Sequence, residues 1–154
     1  MRNFIFAFFI ALSAVAANAE PVVKYTGAFE FPANGMHKKP VVGTWTLTVD
    51  GDLLTQVYMK STAPVRGQTE FSSTEQTAVV KSTGPTTEMS LIYKLEGPTH
   101  EWSYVYVGES SDSGKTYSGV FYTAEGSVEQ IKGELDSGDL SAWNNVGSGT
   151  LTEN

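Results

Sequence analysis

The sequence predicts an all-β protein: an antiparallel up-and-down meander of eight or nine strands, closed or nearly closed into a barrel, with a β-sandwich as the alternative. Three observations carry this. Turn dipeptides punctuate the chain at near-regular intervals: Asn34-Gly35, Asp50-Gly51, Arg66-Gly67, Gly84-Pro85, Gly97-Pro98, Ser113-Gly114, Glu125-Gly126 and Ser137-Gly138. The segments between them alternate apolar and polar residues and are rich in Thr, Val, Tyr and Trp, which suits a pleated surface buried on one side. Glycines also stand inside strands, at Gly27, Gly43, Gly119 and Gly133, where they mark bulges or the sharp bends that closed sheets use. Closure removes both exposed edges of a meander, which favours the barrel over the sandwich.

Residues 1–19 read as a secretory signal peptide. Arg2 supplies the positive end, Phe4 to Leu12 is an apolar run of the right length, and Ala17-Asn18-Ala19 is a small-x-small cleavage site. The apolar stretch from Phe4 to Ala17 falls short of the roughly twenty residues that span a bilayer. Residues 20–154 are then one domain, expected in the periplasm or outside the cell.

The strands are predicted in order. Val22–Phe31 sets Val23, Tyr25, Phe29 and Phe31 against Lys24, Thr26 and Glu30. Val41–Asp50 is the clearest alternation, with Trp45, Leu47 and Val49 against Thr44, Thr46 and Thr48. Leu53–Thr62 has apolar residues on both faces, and Thr69–Thr83 is polar enough to suggest a bulge or an edge. Thr87–Glu96 alternates Met89, Leu91, Tyr93 and Leu95 with Glu88, Ser90 and Lys94. His100–Glu109 alternates Trp102, Tyr104 and Tyr106 with Glu101 and Ser103. Thr116–Ala124 carries Tyr117, Gly119 and Phe121 on one face, Val128–Leu135 is a shorter strand, and Val146–Thr152 closes the chain. No segment after residue 20 keeps a helical period over ten residues; the one helical turn expected is Leu140 to Asn144, capped by Asp139.

Composition narrows the chemistry. There is no Cys, which removes thiol catalysis, thiolate metal sites, disulfides and a lipid-modified N-terminal Cys. Ten Lys and Arg against seventeen Asp and Glu give a net charge of −7, so a phosphate backbone is repelled and nucleic acid is not an expected partner. The two His residues, His37 in Met36-His37-Lys38-Lys39 and His100, sit in no nucleophile context, and Gly-x-Ser-x-Gly is absent. No catalytic residue, metal ligand or cofactor is assigned, and the chain is read as a non-enzyme. Asp50-Gly51-Asp52 and Asp136-Ser137-Gly138-Asp139 offer oxygen ligands but lack the EF-hand spacing, and are read as turns. Glu30, Glu88 and Glu101 lie opposite the aromatic parity and are expected in solvent.

Aromatic residues are the richest functional class. Trp45, Tyr93, Trp102, Tyr104, Tyr106, Tyr117 and Phe121 share the apolar parity of their strands and are expected inside the barrel, where they pack a core or line a ligand cavity. An eight-stranded barrel is wide enough for either. So many Tyr hydroxyls each need a buried partner, which points to a ligand. Trp143, in a polar loop with Ser141, Asn144 and Asn145, either pins the loop over a barrel end or contacts a protein or glycan.

Gly43-Thr44-Trp45 is similar to the Gly-x-Trp motif at the head of a strand in calycins, the group that holds lipocalins and avidin-like barrels. The resemblance implies a barrel with its Trp at one end of the interior, and a ligand cavity. The late Arg that stacks on that Trp in lipocalins has no counterpart, Arg66 being the only Arg after residue 19. The expected function is an exported, soluble barrel that binds a small apolar or aromatic ligand inside. The alternative is a filled barrel that contacts a protein or glycan through loops such as Pro32–Lys39 and Leu140–Asn145. An outer-membrane barrel and an enzyme rank below both.

Overall fold

The computed structural model describes residues 22–33, 38–50, 53–83, 85–96 and 102–154. The predicted signal peptide, His37, His100, Glu101 and the turn residues Asn34, Gly35, Gly51, Asp52, Gly84, Gly97 and Pro98 lie outside the described residues. Eight antiparallel strands close into a barrel in sequence order. They are β1 (Val22–Phe31), β2 (Val41–Asp50), β3 (Leu53–Val65), β4 (Gln68–Thr83), β5 (Thr86–Leu95), β6 (Trp102–Ser110), β7 (Thr116–Glu125) and β8 (Asn144–Glu153). Helix α1 (Val128–Ser137) stands between β7 and β8. The barrel closes where β8 meets β1, with Tyr25 opposite Glu153 and Phe29 opposite Gly149. The connections after β1, β3, β5 and β7 share one end, called here the upper end.

Alternation sets the strand faces as expected. In β2, Trp45 and Leu47 are fully buried while Thr44 is exposed. Because the pleat has a period of two, one such parity carries through the whole strand. The irregularity expected in β4 is a bulge: Ser73 faces Leu95 and Glu75 faces Lys94, leaving Thr74 unmatched. The turn after β6 is held by Asp112. Its carboxylate accepts from Thr116 Oγ1 at 2.6 Å, Ser110 Oγ at 2.7 Å, and the backbone N–H groups of Thr116 and Lys115. These bonds favour the ionised form and hold its pKa well below the usual carboxylate range.

The predicted strand Val128–Leu135 is instead a helix, so the barrel has eight strands and Gly133 is helical. Local chemistry explains the difference. Ser127 is the N-cap and accepts from the Gln130 N–H at 3.2 Å, a Ser-x-x-Gln capping pattern. Gly138 closes the helix in the left-handed region, its N–H bonded to the last turn. Val128, Ile131 and Leu135 recur at helical spacing and bury one stripe. Asp136-Ser137-Gly138-Asp139 is thus the end of a helix, not a hairpin turn. At Leu140–Asn144 the chain makes one isolated hydrogen-bonded turn, the Trp143 N–H donating to the Leu140 carbonyl, and Asp139 before it accepts from Ser141.

Glycines make room for the core rings. Gly108, Gly119 and Gly149 lie side by side across β6, β7 and β8. A Cβ on Gly108 would stand 2.5 Å from the Tyr106 ring, and one on Gly149 would stand 2.5 Å from the Phe121 ring. A Cβ on Gly43 would stand 2.8 Å from the Phe29 ring. A Cβ on Gly119 would collide with the Val107 carbonyl, which is backbone and cannot swing aside. Rings therefore lie down over glycines, the arrangement that pins register in curved sheets.

Two substitutions separate this packing from glycine content as such. Gly119→Ala should destabilise by about 1–3 kcal/mol or more through overpacking. Gly133→Ala, with nothing within 4 Å of the added Cβ, should stabilise by about 0.5–1 kcal/mol as a helix-interior replacement. Urea unfolding midpoints measure both.

Candidate functional site

The centre of the barrel is a solid aromatic floor. Trp45 and Tyr106 meet at 4.8 Å and 68°, and Trp45 and Phe121 at 4.8 Å and 62°. Tyr106 and Phe121 lie 4.9 Å apart, and Phe31 caps Phe121 edge-on at 5.2 Å. Edge-to-face pairs at these separations are favourable beyond the area they bury. The polar atoms of the floor are satisfied within the protein. Trp45 Nε1 donates to the Thr150 carbonyl at 2.9 Å, and the Tyr106 hydroxyl to the Gly149 carbonyl at 3.2 Å. Trp45 thus sits in mid-strand rather than at the barrel end that the calycin resemblance implied, and it ties β2 to β8.

The upper end is built differently. Tyr93, Tyr104, Thr123 and Asn144 form one cross-strand row over β5, β6, β7 and β8. Tyr93 and Tyr104 stack at 5.7 Å and 15°. Tyr93 is fully buried and its hydroxyl contacts Met59 Sδ at 3.5 Å, a weak acceptor. Tyr104 is half-buried, and its hydroxyl has no hydrogen-bond partner among the described residues. Thr123 is 1 % exposed, and its Oγ1 is the one buried side-chain polar atom without a partner among the described residues. Burial raises the Tyr104 pKa, while the Arg66 guanidinium pulls it back down. Arg66 lies in the β3–β4 turn at the same end and is itself exposed.

The remaining expected site residues fall elsewhere. Trp102 begins β6, half-buried at the upper end opposite Glu125. Tyr117 packs near the lower end, edge-on to Tyr25 at 6.1 Å. Burial, with Tyr25 and the carboxylates of Asp112 and Glu153, pushes its pKa up to about 12. The structure therefore divides the aromatic set: Trp45, Tyr106 and Phe121 in the floor, Tyr93, Tyr104 and Trp102 above it, Tyr117 below. Thr123 was missed as a functional candidate, although its place two residues after Phe121 on the same parity was legible.

Trp143 is 8 % exposed and lies on the outside of the barrel wall, in a second core with Ile92, Val105, Ala124 and Ile131. Its indole N–H donates to Glu134 Oε2 at 2.9 Å, and its ring meets Tyr122 at 5.9 Å. It fastens the β8 approach and α1 to the wall rather than covering a barrel end.

A shallow groove of about 810 Å³ crosses the outer face over β1, β2, β3, β7 and β8, lined among others by Ala28, Val42, Thr44, Thr62, Ser118 and Thr150. It is rich in hydroxyls and carries no aromatic residue apart from Phe29. Among the described residues, no group of three or more His, Cys, Asp or Glu could hold a metal ion. No protein-family model matches the chain, and neither a curated protein nor a solved structure matches it.

Two outcomes test this geometry. Thr123→Val keeps the shape and removes the unpaired hydroxyl, so it should raise stability by about 1 kcal/mol. The buried phenols of Tyr93, Tyr106 and Tyr117 have raised pKa values in the folded protein. Their contribution to stability is complete below the unfolded tyrosine pKa of about 10 and is lost as pH rises above it, because only the unfolded chain then releases those protons. Near-ultraviolet phenolate absorbance should therefore appear in a late step that coincides with loss of tertiary circular dichroism.

Proposed function

We propose that this protein is an exported, soluble barrel that binds a small, largely apolar or aromatic molecule, seated at the upper end above the aromatic floor. The observation that carries the reading is the Tyr104–Thr123 pair. Among the described residues, buried side-chain polar atoms elsewhere in the barrel have partners, whereas here a fully buried hydroxyl has none and the half-buried phenol beside it has none. Leaving a buried hydroxyl unpaired costs about 1–3 kcal/mol. A ligand that entered beside Tyr104 would supply the missing bond and extend the Tyr93–Tyr104 stack. Ligand sites pair an apolar surface with a few placed polar groups, and this end has that composition.

The expected export signal and the polar outer face agree with this reading. Outward positions of β1 include Lys24, Thr26 and Glu30, all exposed, where a lipid-facing strand would carry apolar side chains. The packed centre and the hydroxyl-lined outer groove favour a second reading, a filled barrel whose surface contacts a protein or glycan.

Native mass spectrometry of the protein purified from its own host, without detergent, separates the two. The first reading expects a reproducible mass excess that disappears on unfolding and that Tyr104→Ala abolishes. A bare mass in every preparation, together with loss of partner binding on Ala28→Arg in the outer groove, would favour the second. Insolubility without detergent would overturn both.

A further inference from the structure

The only arginine downstream of the predicted signal peptide stands at the proposed site. Arg66 occupies the β3–β4 turn with φ 52°, followed by Gly67 at φ 84°. Left-handed backbone at the first turn position favours Asn, Asp or Gly, so an arginine there is a departure from turn chemistry. The turn stands at the same end of the barrel as Tyr104, with β4 and β5 between them, and the guanidinium charge opposes the rise that burial causes in the Tyr104 pKa. It makes no ion pair among the described residues, in contrast to Lys60 with Glu70 and Lys132 with Asp136.

Charge at this end is unevenly placed. Lys38 and Lys39, in the β1–β2 connection, share the upper end with Arg66. Of the acidic residues there, Glu96 follows β5, Glu125 ends β7 and Glu129 opens α1, with Lys94 near the end of β5, while Glu30 is the one beside the β1–β2 connection. In a chain of net charge −7, the β1–β2 and β3–β4 connections thus bring three cations, against the single carboxylate of Glu30 at the end of β1, to one side of the mouth. A cationic rim on an acidic protein attracts small anions to that place and repels them elsewhere. Arginine adds a planar fork of donors matched to a carboxylate.

Resting on the mouth reading above, we infer that the ligand is a planar aromatic carboxylate, its ring laid beside Tyr104 and its anionic group held at the rim by Arg66. The Thr123 hydroxyl then meets the part of the ligand that reaches furthest in. Specificity comes from the rim and affinity from the stack, so the two are separable by substitution.

Naphthoate and its uncharged amide, naphthamide, test this by fluorescence titration of the full mature protein. The expected result is that naphthoate binds about tenfold or more tightly than naphthamide at low salt, a preference of the size of one charge-assisted pair. Arg66→Gln should reduce that ratio to about one while leaving naphthamide binding unchanged, and Arg66→Lys should retain part of it. Tyr104→Ala should weaken both probes. Raising the salt should narrow the ratio in the wild-type protein, since Arg66 is exposed. Equal affinity for the two probes in the wild-type protein, or a ratio that survives Arg66→Gln, would overturn the inference and leave the mouth reading standing. Binding of neither probe would overturn the mouth reading itself, and this inference with it. Arg66 lies in an exposed turn, so a folded variant is expected, and circular dichroism verifies it.

Discussion

Ring-over-glycine packing is the constraint on which the barrel depends. Tyr106, Phe121 and Phe29 fill the centre only because Gly108, Gly149 and Gly43 present no side chain beneath them. The same arrangement decides register. A slip of one residue would turn every inward ring outward and would place side chains where the glycines now lie. Trp45 then locks the result by donating to the Thr150 carbonyl, so that β2 is tied across β1 to β8 on the side where the meander closes. Closure, register and core are in this sense one interaction seen from three sides.

That solution leaves the two ends unlike each other. Aromatic bulk and satisfied hydrogen bonds occupy the centre, where the Trp45 indole N–H and the Tyr106 hydroxyl are tolerated because the Thr150 and Gly149 carbonyls accept from them. Toward the upper end the row changes from two stacked tyrosines to a threonine. Tyr93 reaches Met59 Sδ, whereas the Thr123 hydroxyl has no partner among the described residues. Among the described residues the barrel thus carries its one buried polar deficit next to a half-buried phenol, at the end where Arg66, Lys38 and Lys39 stand. Binding sites commonly arise where packing has been completed elsewhere and local satisfaction has been given up.

Helix α1 shows how a second, smaller core can form outside a barrel. Ile92, Val105 and Ala124 face outward from β5, β6 and β7, against the parity that fills the interior. Such strands have both faces apolar, and something must cover the outer one. The helix lays Ile131 over it, and Trp143 completes the cover with its indole N–H on Glu134. Val105 and Val107 within β6 were the trace of this in the sequence. They sit opposite Trp102, Tyr104 and Tyr106, at positions a solvent-facing strand would give to polar residues.

Alternation is local, and for that reason the sequence by itself determined the all-β class, the hairpin order and the inward parity of Trp45, Tyr93, Tyr106, Tyr117 and Phe121. The pleat assigns faces without reference to any distant residue. Val128 to Leu135 escaped that logic because a ten-residue helix with one buried stripe has an apolar spacing that short strands can also show; its Ser127 and Gly138 caps were the better signal. What only the tertiary structure decided are relations between residues far apart in the chain. The pairing of Trp45 with Thr150 spans 105 positions. The rings over glycines on neighbouring strands, the burial of Trp143 beside α1 and the lack of a partner for Thr123 among the described residues are likewise properties of cross-strand neighbours. Such neighbours are set by closure and register, which no single segment encodes, and so the candidate site became visible only once the barrel had closed.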